Sequence, residues 1–195
     1  MPDMKTIKDL EAEVETYCRD MGWYEQEVPF AVAMALLHEE AAEAGRAWRD
    51  HGLADATYAD HPEINPGGVA CDVIVKPEGV GSEFADIFIR MLDDSTRYQL
   101  DLAGYLEPDP EIFVLDDEFL VNINTLHGLI AGVTTAVETC YESPAAAFAA
   151  ILSFAAILSF LRQMCVRYGI DLMAEYERKM AYNRTREHRH GGRRF

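Results

Sequence analysis

Positive charge is scarce in this chain: 17 lysines and arginines stand against 34 aspartates and glutamates, a net charge of −17 over 195 residues. Such a field repels nucleic-acid backbones and anionic lipid headgroups, so no nucleic acid and no membrane is expected as a partner. Cysteine is sparse as well. Cys18, Cys71, Cys140 and Cys165 lie far apart with no C-x-x-C pair, which signals neither a disulfide framework nor a zinc cluster and suits a reducing cytoplasm. Met1 to Leu10 alternates charged and polar residues where an export signal needs a continuous apolar region, so a cytoplasmic location is expected. No G-x-x-x-x-G-K-[ST] loop occurs, which excludes a P-loop NTPase. One long apolar run, Ala145 to Leu161, is closed at once by Arg162. It falls short of the ~20 residues that a bilayer requires and is expected to be a buried core helix.

What the chain has in quantity is helical periodicity. Hydrophobic residues make up 49% of it. They recur at helix spacing in Ile7 to Met21, Phe30 to Trp48, Glu83 to Leu102, Phe119 to Val137, Pro144 to Tyr168 and Leu172 to Tyr182. β-type alternation is scarce, and the expected fold is an all-α helical bundle forming a single domain over residues 1–195. Ser143-Pro144 reads as an N-cap followed by proline at the first helical position, and Gly81-Ser82 as the cap of the third segment. Between Gly52 and Val80 the prolines and glycines predict a long excursion, a lid or binding loop with a short strand at Val73 to Val75. Glu107 to Glu118 reads as a solvated connector.

An internal repeat runs through the helices. Arg97-Tyr98-Gln99-Leu100-Asp101-Leu102 returns 70 residues later as Arg167-Tyr168-Gly169-Ile170-Asp171-Leu172, and Leu37-His38 returns 89 residues later as Leu126-His127. The pattern predicts two copies of one helical hairpin, a first copy over residues 1–106 and a degenerate second copy over 119–195. Where the first copy has Glu40, Glu43, Glu83 and Asp86, the second has Leu129, Gly132, Ser153 and Ala156. Chance similarity among helices rich in alanine and leucine is the bland alternative.

Those acids carry the chemistry. Glu40 and Glu43 are three apart on one helix face, and Glu83 and Asp86 repeat the spacing inside an apolar segment. Four carboxylates meeting in a core are costly unless hard cations neutralise them. Mg²⁺, or Mn²⁺ in its place, takes oxygen ligands and keeps positions open for water and phosphate. A solvated helix face is the ordinary alternative for an E-x-x-E pair. A di-iron bundle would need two Glu-x-x-His motifs, and the one instance, Glu187 to His190, lies in the tail. That tail is basic: residues 178–195 carry +6 and the remainder −23. Lys179, Asn183 and Arg186 share one face of a continuing helix, a way to present donors to a polyphosphate. Trp48 is a candidate for stacking on a base, although aromatics at helix spacing are more often core.

Leu37-His38-Glu39-Glu40-Ala41-Ala42-Glu43 with Trp48-Arg49-Asp50-His51-Gly52 resembles the first metal motif of the MazG-like, all-α nucleoside triphosphate pyrophosphohydrolases. Lys76-Pro77-Glu78-Gly79 running into Glu83-Phe84-Ala85-Asp86-Ile87 resembles their second motif. Lys179 to Arg186, ending in Arg189-His190-Gly191-Gly192, resembles their C-terminal signature. The resemblance covers roughly half the chain, and the extra block is similar to that of the dimeric dUTPases. It implies Mg²⁺-dependent hydrolysis of nucleoside triphosphates to the monophosphate and pyrophosphate, for pool control or housecleaning. It also implies metal binding by Glu40, Glu43, Glu83 and Asp86, with Glu43 helping to deprotonate water. Substrate contacts from Lys179, Tyr182, Asn183 and Arg186 and assembly as a homodimer or homotetramer follow from the same likeness. The alternative is a helical nucleotide-binding or regulatory module without catalysis.

Overall fold

The computed structural model describes residues 5–53, 76–100, 102, 113–140 and 144–192, and all side chains among them but those of 137–140 and 144–150. The chain folds as helices: α1 (Ile7–Asp20), α2 (Phe30–His51), α3 (Val80–Arg97), α4 (Phe119–Cys140), α5 (Pro144–Tyr168), α6 (Leu172–Asn183) and a single distorted turn, α7 (Arg189–Gly192). The all-α class is as expected. The strand expected at 73–75, most of the excursion around it, residues 107–112 of the expected connector and the Ser143 cap lie outside the described residues.

Local chemistry sets several helix ends. Thr6 Oγ1 accepts from the Asp9 amide while the Asp9 carboxylate accepts from the Thr6 amide at 2.8 Å, a reciprocal cap that starts α1. α1 then buries Leu10, Val14 and Tyr17 at helix spacing and packs on α3. α3 begins at Gly79, whose φ of 97° suits glycine, and not at the expected Gly81-Ser82 cap. Ser82 Oγ instead donates to the Pro77 carbonyl at 2.9 Å. At its other end α3 stops at Arg97, short of the expected Leu102, because Gln99 turns to φ 57° and the Leu100 amide bonds back to Ser95 O at 2.8 Å.

α2 and α3 form an antiparallel hairpin, with the Phe30 ring 5.0 Å from Tyr98 at one end and Glu40 paired to Arg90 further along. α4 and α5 form a second hairpin, laid against the first mainly through α2 and α4. Both are long and apolar enough to cross a bilayer by length and composition, and 50% of the α5 stretch and 33% of the α4 stretch are buried within the protein. Phe154, Ile157, Leu158, Leu161 and Met164 of α5 belong to the core. Asn122 fastens the hairpin: its amide group bonds both the Asp116 N–H and C=O and donates to the Tyr168 hydroxyl at 2.7 Å.

The two hairpins share several local features. α2 and α4 each have 22 residues and begin 89 apart, at Phe30 and Phe119. The turn closing α3 returns at the end of α5, with Gly169 at φ 70° and the Ile170 amide bonded to Cys165 O at 2.8 Å. His38 and His127, equivalent by sequence, meet each other with their Nδ1 atoms 2.8 Å apart.

α3 is the helix that positions the site. It contacts α1, α2, α5 and α6, so positions that would be a solvated face on a peripheral helix are enclosed here.

Candidate metal and phosphate-binding site

Residues three and four apart share a helix face, and along α3 that face reads Glu83, Asp86, Arg90, Asp93 with Asp94, and Arg97. All six line a cleft of about 340 Å³, within the usual range for ligand sites. α2 adds Glu40 and Glu43 to its wall, and the C-terminal segment adds Lys179, Tyr182, Asn183 and Arg186.

Carboxylate oxygens of Glu40, Glu43 and Glu83 all lie within 4.8 Å of one another. Glu40 and Glu83 are buried, whereas Glu43 is exposed. Each of two is steadied by a cation: Glu40 Oε1 accepts from Arg90 Nε at 2.6 Å, and Glu43 from Arg46 at 3.2 Å. Asp86, one turn beyond Glu83, lies in the same cleft but is engaged differently. Lys179 Nζ, 4% exposed, reaches from α6 to within 2.6 Å of the Asp86 carboxylate and donates to Ser82 Oγ at 2.8 Å.

The electrostatics of this cluster follow from burial. Glu83, 6% exposed, is pushed up to about 8, because desolvation and the charges of Asp86 and Glu40 outweigh the pull of Lys179. Burial also raises Asp86 against the same pull. The Lys179 ammonium would be lowered by burial alone, but Asp86 and Glu83 more than reverse this and raise it. With Lys179, Arg90 and the exposed Arg46 serving four carboxylates, Glu83 and Asp86 hold protons more readily than ordinary carboxyls, and a divalent cation would displace them. The donor set, carboxylate oxygens alone, is the hard set that Mg²⁺ or Mn²⁺ prefers.

Of the residues singled out from sequence, Glu40, Glu43 and Glu83 come together, and Asp86, Lys179, Tyr182, Asn183 and Arg186 share their cleft. Two differ in manner or place. α6 ends at Asn183, so Arg186 reaches the cleft from the turn beyond rather than from a continuing helix. Trp48 stacks on Phe119 of α4 at 5.4 Å and does not line the cleft, since its position on α2 faces the second hairpin. Sequence reasoning missed Arg90, Asp93, Asp94 and Arg97. Their signal was the continuation of the Glu83–Asp86 face along α3. The last turn is tied back as well, with the Tyr17 hydroxyl 3.1 Å from His190 Nε2.

No family model, curated protein or solved structure matches the chain.

Proposed function

We propose that this cleft hydrolyses a nucleoside triphosphate to the monophosphate and pyrophosphate with a divalent cation, Mg²⁺ or Mn²⁺. The observation that carries the reading is the convergence of Glu40, Glu43 and Glu83 beside a buried Lys179 in one cleft. Those three glutamates would hold the cation, with Asp86 next to them. When bound, it would polarise phosphate oxygens and acidify a water. Glu43, the exposed member, would accept the proton of the attacking water. Lys179 and Arg186 supply positive charge to the phosphates, where charge-assisted bonds are strong. Asn183, whose buried amide oxygen has no hydrogen-bond partner among the described residues, would accept from a sugar hydroxyl. The same residues carry the motif resemblance to the MazG-like pyrophosphohydrolases.

The matched helix lengths, the matched C-terminal turns and the His38–His127 contact support a duplicated hairpin. Because Leu129, Gly132, Ser153 and Ala156 replace the acids in the second copy, one cation site per chain follows. Pyrophosphate release from the common NTPs and dNTPs, with and without MgCl₂, tests the activity. It should vanish in Glu83→Ala, and wild-type-like release by that variant would exclude the assignment.

A second reading draws on the two internal ion pairs, Arg90 to Glu40 and Lys179 to Asp86, which already neutralise two of the four carboxylates. On that reading the chain binds nucleotides without turning them over. Calorimetric binding of Mg²⁺ and a triphosphate with no product would favour it.

A further inference from the structure

The cleft continues along α3 well past the glutamates. The α2–α3 hairpin is antiparallel, so the end away from Glu43 and Glu83 is built from Ala33 and Leu36 of α2 and from Asp93, Asp94 and Arg97 of α3. Val28 joins them there, since the Tyr98 hydroxyl donates to its carbonyl at 2.8 Å. Asp94 sits eight residues beyond Asp86, about 12 Å of helix rise. That is comparable to the distance between the phosphates of an extended nucleotide and its base.

Asp93 and Asp94 each keep one buried carboxylate oxygen without a partner among the described residues, but Asp93 is paired through its other oxygen with Arg97. Asp94 is 5% exposed, and its Oδ2 is buried with no hydrogen-bond partner among the described residues. The two arginines a turn to either side are committed elsewhere, Arg90 to Glu40 at 2.6 Å and Arg97 to Asp93 at 2.9 Å. A buried acceptor without a donor weakens a fold, and its retention calls for a role outside the fold. What it lacks is an N–H group, and the surrounding wall of Val28, Ala33 and Leu36 suits the flat apolar faces of a heterocycle.

We propose that Asp94 reads the nucleobase: when ionised, its unpaired carboxyl oxygen accepts a hydrogen bond from an exocyclic amino group of a base that enters this end of the cleft, so that amino-bearing nucleotides are taken in preference to their oxo counterparts. The inference rests on the reading of the cleft as a nucleotide site. A base carrying a carbonyl at that position places oxygen against oxygen, and a site built to bond a donor rejects the analogue lacking it.

The test compares dCTP with dUTP, and dATP with dITP. Burial and the neighbouring Asp93 push the Asp94 carboxyl up to about 8 against the pull of Arg90 and Arg97. Measurements are therefore made at pH 9, where it is an acceptor only. Wild-type kcat/KM should favour the amino-bearing partner of each pair by about tenfold or more. Asp94→Asn, which keeps the size and can turn an amide N–H toward a carbonyl, should bring both ratios close to one. Asp94→Ser serves as a second variant, with circular dichroism to verify that each is folded. A wild type that favours the oxo nucleotides, or ratios unchanged in both variants, would overturn the proposal. Calorimetric binding of dCMP and dUMP separates it from the hydrolase reading, because it needs no turnover. Selective dCMP binding that depends on Asp94, without pyrophosphate release from any triphosphate, would remove the hydrolase and keep the base reader. Equal binding of the two monophosphates, or no binding of either, would remove the base reader even if pyrophosphate were released.

Discussion

Glu83→Gln is expected to make the cation-free protein more stable, by an amount that grows with pH. Burial displaces the Glu83 carboxyl from its ordinary 4.5 to about 8. A carboxyl raised on folding binds its proton more tightly in the folded state. Its contribution to stability is therefore complete below pH 4.5 and is lost as pH climbs toward and through 8. By pH 8 the displacement corresponds to on the order of 4 kcal/mol, a large share of the 5–15 kcal/mol typical of a domain. Glutamine carries no charge to bury and escapes that loss. Urea unfolding followed by circular dichroism in EDTA, at pH 4.5 and pH 8, should show wild type and variant nearly matched at the lower pH. At pH 8 the variant should lead, with a melting temperature higher by on the order of 10 °C. Adding MgCl₂ at pH 8 should stabilise the wild type by mass action and leave the variant almost unmoved. A variant less stable than wild type at pH 8 in EDTA would refute the reasoning, as would a gap that is the same at both pH values.

Other substitutions probe different links. Lys179→Met removes the cation buried against Asp86 and should cost on the order of 3–5 kcal/mol in urea unfolding at pH 8, because an uncompensated charge remains inside. Turnover should fall with it. Gln99→Gly should stabilise by about 1 kcal/mol, and Gly169→Ala should destabilise by a similar amount, since both positions are left-handed and a Cβ is strained there. Paired thermal melts measure the two. Asn122→Ala breaks the bonds to Asp116 and Tyr168 and should lose about 1–3 kcal/mol, while the stabilisation by Mg²⁺ is unchanged.

The helices were legible because their apolar spacing is dense, and the boundaries of α5 agree with the expected segment. The end of α3 was not. The left-handed turn that stops it falls on Gln99, where the sequence carries no glycine, whereas the equivalent turn after α5 falls on Gly169. The carboxylate cluster was legible as two pairs at helix spacing on two helices of one hairpin. Its cations were not, because Arg90 meets Glu40 across 50 residues and Lys179 meets Ser82 across 97. Such partners are set by helix packing, not by spacing along the chain. Trp48 followed the motif in sequence but the opposite hairpin in space. Asp94 reads as one of two ordinary acids near a helix end, and becomes conspicuous only because α3 is enclosed on several sides.

Lys179 also sets an order of assembly. The ammonium that neutralises Asp86 comes from α6, which packs on α3 and is tied to α1 through Lys5 with Glu177 and Arg184 with Glu13. Until residues 172–183 dock, Glu83 and Asp86 lack the lysine that offsets them, and enclosing them as anions is costly. The first turns of α3 and all of α6 are therefore expected to open together, with backbone amides that exchange with deuterium at a common rate. A ribosome reaches Lys179 only after it has made the acids it serves, so the newly made chain holds an electrically unfinished site until α6 is in place.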